Sequence, residues 1–185
     1  MRNLILLFGF LSTQLAVAQF GKNCEIRQIK INMFHPGLEY EMSLGVNTTL
    51  DARVAYQFSL DPFMAEPIEN YKLFPAITLQ TRYYYNFGTR AQNARQIYGN
   101  SANYIAPSAS VFFAGDDFTG DNIPRSTFAT AGLVTGIQRS YNSGLSFSVD
   151  VGAAYYLGEF NGGIYPVFNL SIGWIVSEKR WCVGR

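Results

Sequence analysis

Charge is scarce in this chain. Only 15% of its 185 residues are Asp, Glu, Lys or Arg, against about a quarter in ordinary soluble domains. The net charge of +1 gives no electrostatic case for nucleic acid. Histidine occurs once, as His35, and cysteine twice, as Cys24 and Cys182. The chain offers no metal cluster, no phosphate-binding glycine loop and no cofactor motif, so no cofactor is expected. No stretch holds eighteen consecutive apolar residues, so no helix is expected to span a bilayer. A membrane-embedded form would have to be a closed β-barrel, which alone satisfies every strand's backbone groups in lipid.

What is abundant is apolar and aromatic: 48% of the residues are hydrophobic, with 15 Phe and 12 Tyr. The first residues read as a targeting segment. "MRN" supplies positive charge, "LILLFGFL" (Leu4 to Leu11) an apolar run, and "AVA" (Ala16 to Ala18) a small-x-small cleavage site before Gln19. This is a secretory signal peptide over 1–18, with an uncleaved anchor as the alternative. Asn23 precedes Cys24 where a lipidation site would want a small residue. The expected organisation is a periplasmic tail over 19–27, a folded domain over 28–176 and a C-terminal tail over 177–185.

Within that domain the pattern has a period of two. "LSFSVDVGAAYYL" (145–157) sets Leu145, Phe147, Val149, Val151, Ala153, Tyr155 and Leu157 against Ser146, Ser148, Asp150, Gly152, Ala154 and Tyr156. Such alternation is a strand with one apolar and one polar face. Seven further segments read similarly: 28–34, 38–44, 48–59, 75–87, 102–114, 126–139 and 164–176. Pro107 removes a ladder donor and predicts a bulge or an unpaired position in its strand. The facing of 126–139 is open, and 88–101 breaks the alternation with room for a short helical turn. Eight strands with seven connections fit an up-and-down barrel whose two ends lie on one side.

Which face lies inside is the deciding question. Membrane barrels carry aromatic girdles at both interfaces. Here Tyr56, Phe58, Phe112, Phe113, Phe128, Tyr155 and Tyr165 fall near the outer strand ends, and Tyr83, Tyr85, Phe87, Tyr104 and Trp174 near the inner ends. Mid-strand apolar positions hold mostly Leu, Ile, Val and Ala. The polar faces carry Lys30, Arg53 and Arg82 against Glu39, Glu41, Asp51 and Asp150, a tally of +3 and −4. In an eight-stranded barrel the lumen is just wide enough for side chains, and buried charges there must pair. A lumen ion-pair network is therefore expected, with Arg53 opposite Glu39 or Glu41. The alternative is a chance balance on the wet face of a soluble sandwich.

Outside the strands, acids gather in the expected outer loops (Asp61, Glu66, Glu69, Asp116, Asp117, Asp121 and Glu159). Bases gather at the other end (Lys22, Arg27, Arg90, Arg95, Arg139, Lys179, Arg180 and Arg185). "GDDFTGDN" lacks the spacing of a calcium loop. Cys24 and Cys182 flank the first and last strands, which are neighbours in a closed barrel. A disulfide across that seam is one expectation, and two separate thiols the other.

The signal peptide, the "LEYEMSL"–"LDARVAYQF" hairpin, "TRYYYNF" and the closing "NLSIGWIV" resemble the small eight-stranded outer-membrane β-barrel proteins of the OmpA/OmpX type. They are more similar still to the outer-membrane barrels of Bacteroidetes-like bacteria. The resemblance spans 28–176. It implies an all-β, eight-stranded antiparallel up-and-down transmembrane β-barrel in the bacterial outer membrane. Outer-membrane lipid, lipopolysaccharide and the barrel-assembly machinery would be its partners, with no nucleic acid, and a monomer is expected. Such barrels commonly end on an aromatic residue, whereas nine residues follow Val176 here. The expected role is structural or surface interaction, without catalysis. A soluble lipocalin-like periplasmic carrier of an apolar ligand is one alternative. A lipid-A-modifying barrel enzyme is another, although His35, in the "HPG" turn, has no Ser–His–acid arrangement around it in sequence. A pore is not expected, because side chains fill so narrow a barrel.

Overall fold

The computed structural model describes residues 24–59, 72–113, 127–157 and 163–182. The expected targeting segment over 1–18 and most of the expected acidic outer loops lie outside the described residues. The alternating segments form eight strands: β1 (Cys24–Asn32), β2 (Gly37–Ser43), β3 (Thr48–Ser59), β4 (Lys72–Tyr84), β5 (Asn103–Phe113), β6 (Thr127–Ser140), β7 (Leu145–Leu157) and β8 (Ile164–Cys182). Each pairs antiparallel with the next, and β8 pairs back onto β1, so the sheet closes into a ring with no free edge. Both terminal strand ends lie at one end of the ring, with the 44–47, 85–102 and 141–144 connections. We call it the terminal end, and the opposite one the distal end.

The strand limits differ from the sequence reading at the seam. β1 begins at Cys24 and β8 runs to Cys182, so parts of both expected tails are strand. "SEKRWC" has little apolar alternation, but its backbone pairs with Cys24–Ile29 all the same, because ladder hydrogen bonds do not depend on side-chain polarity. One extra residue, Val176, enters β8 where the register shifts between Ile29 and Lys30. This bulge lets the strand continue with its facing restored. At Pro107 the β4–β5 pairing is interrupted between Gln80↔Ser108 and Tyr83↔Ile105, as a missing N–H requires.

The two faces have reversed polarity relative to a water-soluble protein. Arg53 and Arg82, at 1% and 0% exposed, are among the largest fully buried side chains. Val54 and Leu133 are each 60% exposed. Among the outward residues are Ile29, Ile31, Leu38, Tyr40, Ile77, Leu79, Ile105, Val151 and Phe168. The facing of β6 follows from its burial: Val134, Gly136, Gln138 and Ser140 are inside, and Leu133 and Ile137 outside.

The girdle reading needs correction. Tyr56, Phe113, Tyr155, Tyr83, Tyr85 and Trp174 are exposed as expected. Phe112 and Phe128 face inward, stacked at 4.7 Å between centroids, and Tyr104 is wholly buried. Tyr165 also turns inward, where it meets Tyr156 edge-on at 5.6 Å. Phe87 leaves the strand altogether. It begins a short helix, α1 (Phe87–Gln92), and packs 4.9 Å from Tyr84. For Phe112, Phe128, Tyr104 and Tyr165 the reason is parity: they fall on inward strand positions, where large groups fill the interior. The Phe58 side chain lies outside the described residues.

Candidate functional site

The chemistry of this molecule is concentrated inside the ring. Register places Lys30 opposite Glu39 on β1–β2, and Glu39 opposite Arg53 on β2–β3. All three side chains therefore point to one interior level. Lys30 Nζ lies 2.7 Å from Glu39 and 3.0 Å from Glu41. Arg53 Nε lies 3.2 Å from Glu39, and its Nη2 3.8 Å from Asp51. Arg82, from β4, reaches Asp51 at 3.0 Å and Glu39 at 3.5 Å. Three cations thus meet three carboxylates away from water, where removing either partner leaves an uncompensated charge.

Glu41 is the hub. It accepts hydrogen bonds from Gln28 (2.6 Å), Lys30 (3.0 Å), Tyr84 (2.8 Å), Asn100 (2.6 Å) and Gln138 (3.0 Å). These donors come from β1, β4, the 85–102 connection and β6. Arg82 also donates to Gln138 at 2.8 Å and lies 4.8 Å from the centroid of the Tyr104 ring. Gly136 makes room for that ring: a Cβ there would lie 2.5 Å from Tyr104 Cζ.

Asp150 stands apart from the six paired charges. No cation lies within ion-pair distance among the described residues. It instead accepts from Asn169 (2.6 Å), Tyr104 (3.0 Å) and Gln80 (3.2 Å). Neutral donors satisfy a buried carboxylate at lower desolvation cost than a second buried ion.

The 85–102 connection folds into the terminal end as a cap. After α1 comes a 3-10 turn (Tyr98–Asn100) in which Gly99 and Asn100 adopt positive φ, 55° and 62°. Glycine and asparagine tolerate this region best. The turn aims the Gly99 carbonyl inward, where it accepts from Gln138 and Ser140, each at 2.9 Å. Gln96 and Ser101 hold the cap to the Ser140 carbonyl at 3.0 Å each. Tyr84, Phe87, Ala102, Tyr104, Ala106 and Val134 form an apolar layer behind it.

At the distal end, Phe74, Phe112, Phe128, Tyr156 and Tyr165 make an aromatic layer across β4 to β8. His35, from the tight turn between β1 and β2, is buried, with its ring 5.2 Å from that of Phe34. Burial lowers its basicity below the ordinary 6.5, and the Arg53 charge lowers it further. Asp150 and a backbone hydrogen bond involving Leu170 act in the opposite direction.

Chemically, the interior is a polar core of paired charges in which Gln28 Oε1, Thr49 Oγ1, Asp51 Oδ2 and Arg53 Nη2 are buried without a hydrogen-bond partner. Oxygens of Glu39, Glu41 and Asp51 lie within 4.8 Å of one another, a donor set suited to a hard cation. Lys30, Arg53 and Arg82 already neutralise it. The seven charges read from the sequence are all inside: six join in ion pairs, and Asp150 does not. Strand alternation could not reveal the neutral partners Gln28, Gln80, Asn100, Gln138, Asn169, Tyr84 and Tyr104. Their signal was only polar-face parity, and for Asn100 not even that. Cys24 and Cys182 are direct cross-strand partners on β1–β8. No protein-family model, curated protein or solved structure matches the chain.

Proposed function

We propose that the chain is an outer-membrane β-barrel protein with a side-chain-filled lumen. Its role would be structural or one of surface interaction, displaying the acidic 60–71, 114–126 and 158–162 segments at the cell surface. The observation that carries this reading is the reversed polarity: buried Arg, Lys and Glu inside, exposed Ile, Leu, Val and Phe around the outside. In water, a continuous apolar belt of that kind would drive association. In lipid it costs nothing, and the polar interior is hidden. Strands β3 to β8 have 11 to 19 residues, enough for the roughly 9–11 that a tilted membrane strand needs. Exposed Tyr83, Tyr85 and Trp174 at one end, with Tyr56, Phe113 and Tyr155 at the other, suit two interfaces.

The partners on this reading are outer-membrane lipid, lipopolysaccharide and the assembly machinery, with the barrel acting as a monomer. The carrier alternative needs an apolar interior, and here ion pairs occupy that space. A lipid-A enzyme would need a nucleophile and base at the lipid-facing rim, whereas His35 turns inward and is buried. The test is the mature chain in an outer-membrane fraction, run on a denaturing gel with and without boiling. A heat-dependent band shift in membrane-extracted material is expected. A water-soluble, monomeric protein with no shift overturns the proposal.

A further inference from the structure

Cys24 is the first residue of β1 and Cys182 the last of β8, and the register sets them directly opposite each other. β1–β8 is the one neighbouring pair in the ring that no connection joins. Opposed Cα atoms in an antiparallel pair lie about 4.5 or 5.5 Å apart, depending on the pair type. Both values fall inside the roughly 4.4–6.8 Å that a disulfide spans. These are the only two cysteines in the chain, so no competing intramolecular pairing exists. The geometry points to a Cys24–Cys182 disulfide that closes the seam covalently.

The chemistry balances with a dithiol–disulfide oxidant of the exported compartment. One cysteine thiolate attacks the oxidant's disulfide, breaking its S–S bond and forming a mixed disulfide. The second thiolate displaces the oxidant as a dithiol. The two cysteines lose two electrons and two protons, and the oxidant gains them. Almost the whole chain lies between the two residues, so they meet only once β8 has docked on β1. The bond therefore forms after ring closure and makes that closure permanent. Its compartment rests on the export and membrane reading above; the opposition of the two residues does not.

The experiment isolates the full-length product from outer membranes without reductant, unfolds it in detergent and alkylates it before mass spectrometry. Neither cysteine should take up label, the mass should be lower by two hydrogens than the dithiol form, and reduction should make both reactive. A non-reduced peptide map should join the two cysteine-bearing peptides of one chain. Two alkylatable thiols in a chain whose band still shifts on heating would overturn the inference, as would a disulfide-linked dimer. In Cys24→Ser, Cys182 should take up one label per chain; no label, from a different mixed disulfide, counts against the intramolecular bond. If the bond forms in a chain that shows no heat shift and no membrane association, the membrane reading fails and the disulfide stands.

Discussion

Asn100 donates its side-chain amide hydrogen to Glu41 Oε1 across 2.6 Å, and neither residue has any exposed surface. This bond ties the 85–102 cap to the hub of the interior network. A hydrogen bond to a charged group contributes about 1.5–3 kcal/mol. Asn100→Ala is expected to loosen the cap by that order while the ring stays closed. Trypsin cleavage after Arg90 and Arg95 should quicken, with the β-sheet circular dichroism unchanged. Unchanged cleavage would mean that the cap is held elsewhere.

Arg82 engages two carboxylates, Gln138 and the Tyr104 ring at once. Arg82→Met leaves Asp51 without its closest cation and should cost about 3–5 kcal/mol in urea unfolding. Arg82→Lys keeps the charge but loses the fork that spans these partners, so an intermediate loss is expected. Because the pairs are buried, 1 M salt should change the wild-type midpoint little. A strong salt dependence would place the network in contact with solvent.

Leu133, 60% exposed on the outside of β6, separates lipid from water directly. At an exposed site on a soluble protein, Leu133→Arg would change stability by no more than about 0.5 kcal/mol. Near the middle of a membrane belt the same change costs about 2–4 kcal/mol. The larger value, measured by unfolding from bilayers, is expected here.

His35 gives a pH dependence whose sign is set by its lowered basicity. The folded protein binds the proton less readily than the unfolded chain does. Its contribution to stability is therefore complete above the ordinary value of 6.5 and is lost as the pH falls through the depressed folded value. Thermal unfolding from about pH 8 down to about pH 5 should show a decline that His35→Gln reduces. An identical slope in the variant would remove His35 as the cause.

Gly136→Ala should displace Tyr104 and with it the hydrogen bond to Asp150. In a Tyr104→Ala background the added methyl no longer strikes the ring, and of its three nearest contacts only Asp150 Cβ, at 2.8 Å, remains. The two changes should therefore be strongly non-additive in a double-mutant cycle. Additive costs would show that the ring moves aside freely.

Much of the ring was legible because strand parity is a local property. Residues 145–157 sort inside from outside without knowledge of any neighbour, and the same parity put all seven charges on the interior face. Three things were not legible. The aromatic residues Phe112, Phe128 and Tyr165 satisfy an end-of-strand pattern whichever face they occupy, so position alone misassigned them to an outer girdle. The extension of β8 through Lys179 and Arg180 depends on backbone pairing with β1, which leaves no apolar trace. The cap required Gly99 and Asn100 to turn back into the ring. Their reward is a set of contacts with Glu41, Gln138 and Ser140, residues from about 40 to 60 positions away in the chain, which no local pattern encodes.

The hub at Glu41 also bears on how such a sequence can change over time. Five donors from three strands and the cap converge on one carboxylate, so a replacement there strands several groups together. A replacement at any single donor, by contrast, leaves four bonds in place. Drift should therefore be slowest at Glu41, and Lys30, Gln28 and Gln138 should co-vary with it among relatives of this chain. The outward Leu and Ile positions, which take no part in that network, should exchange freely among apolar residues.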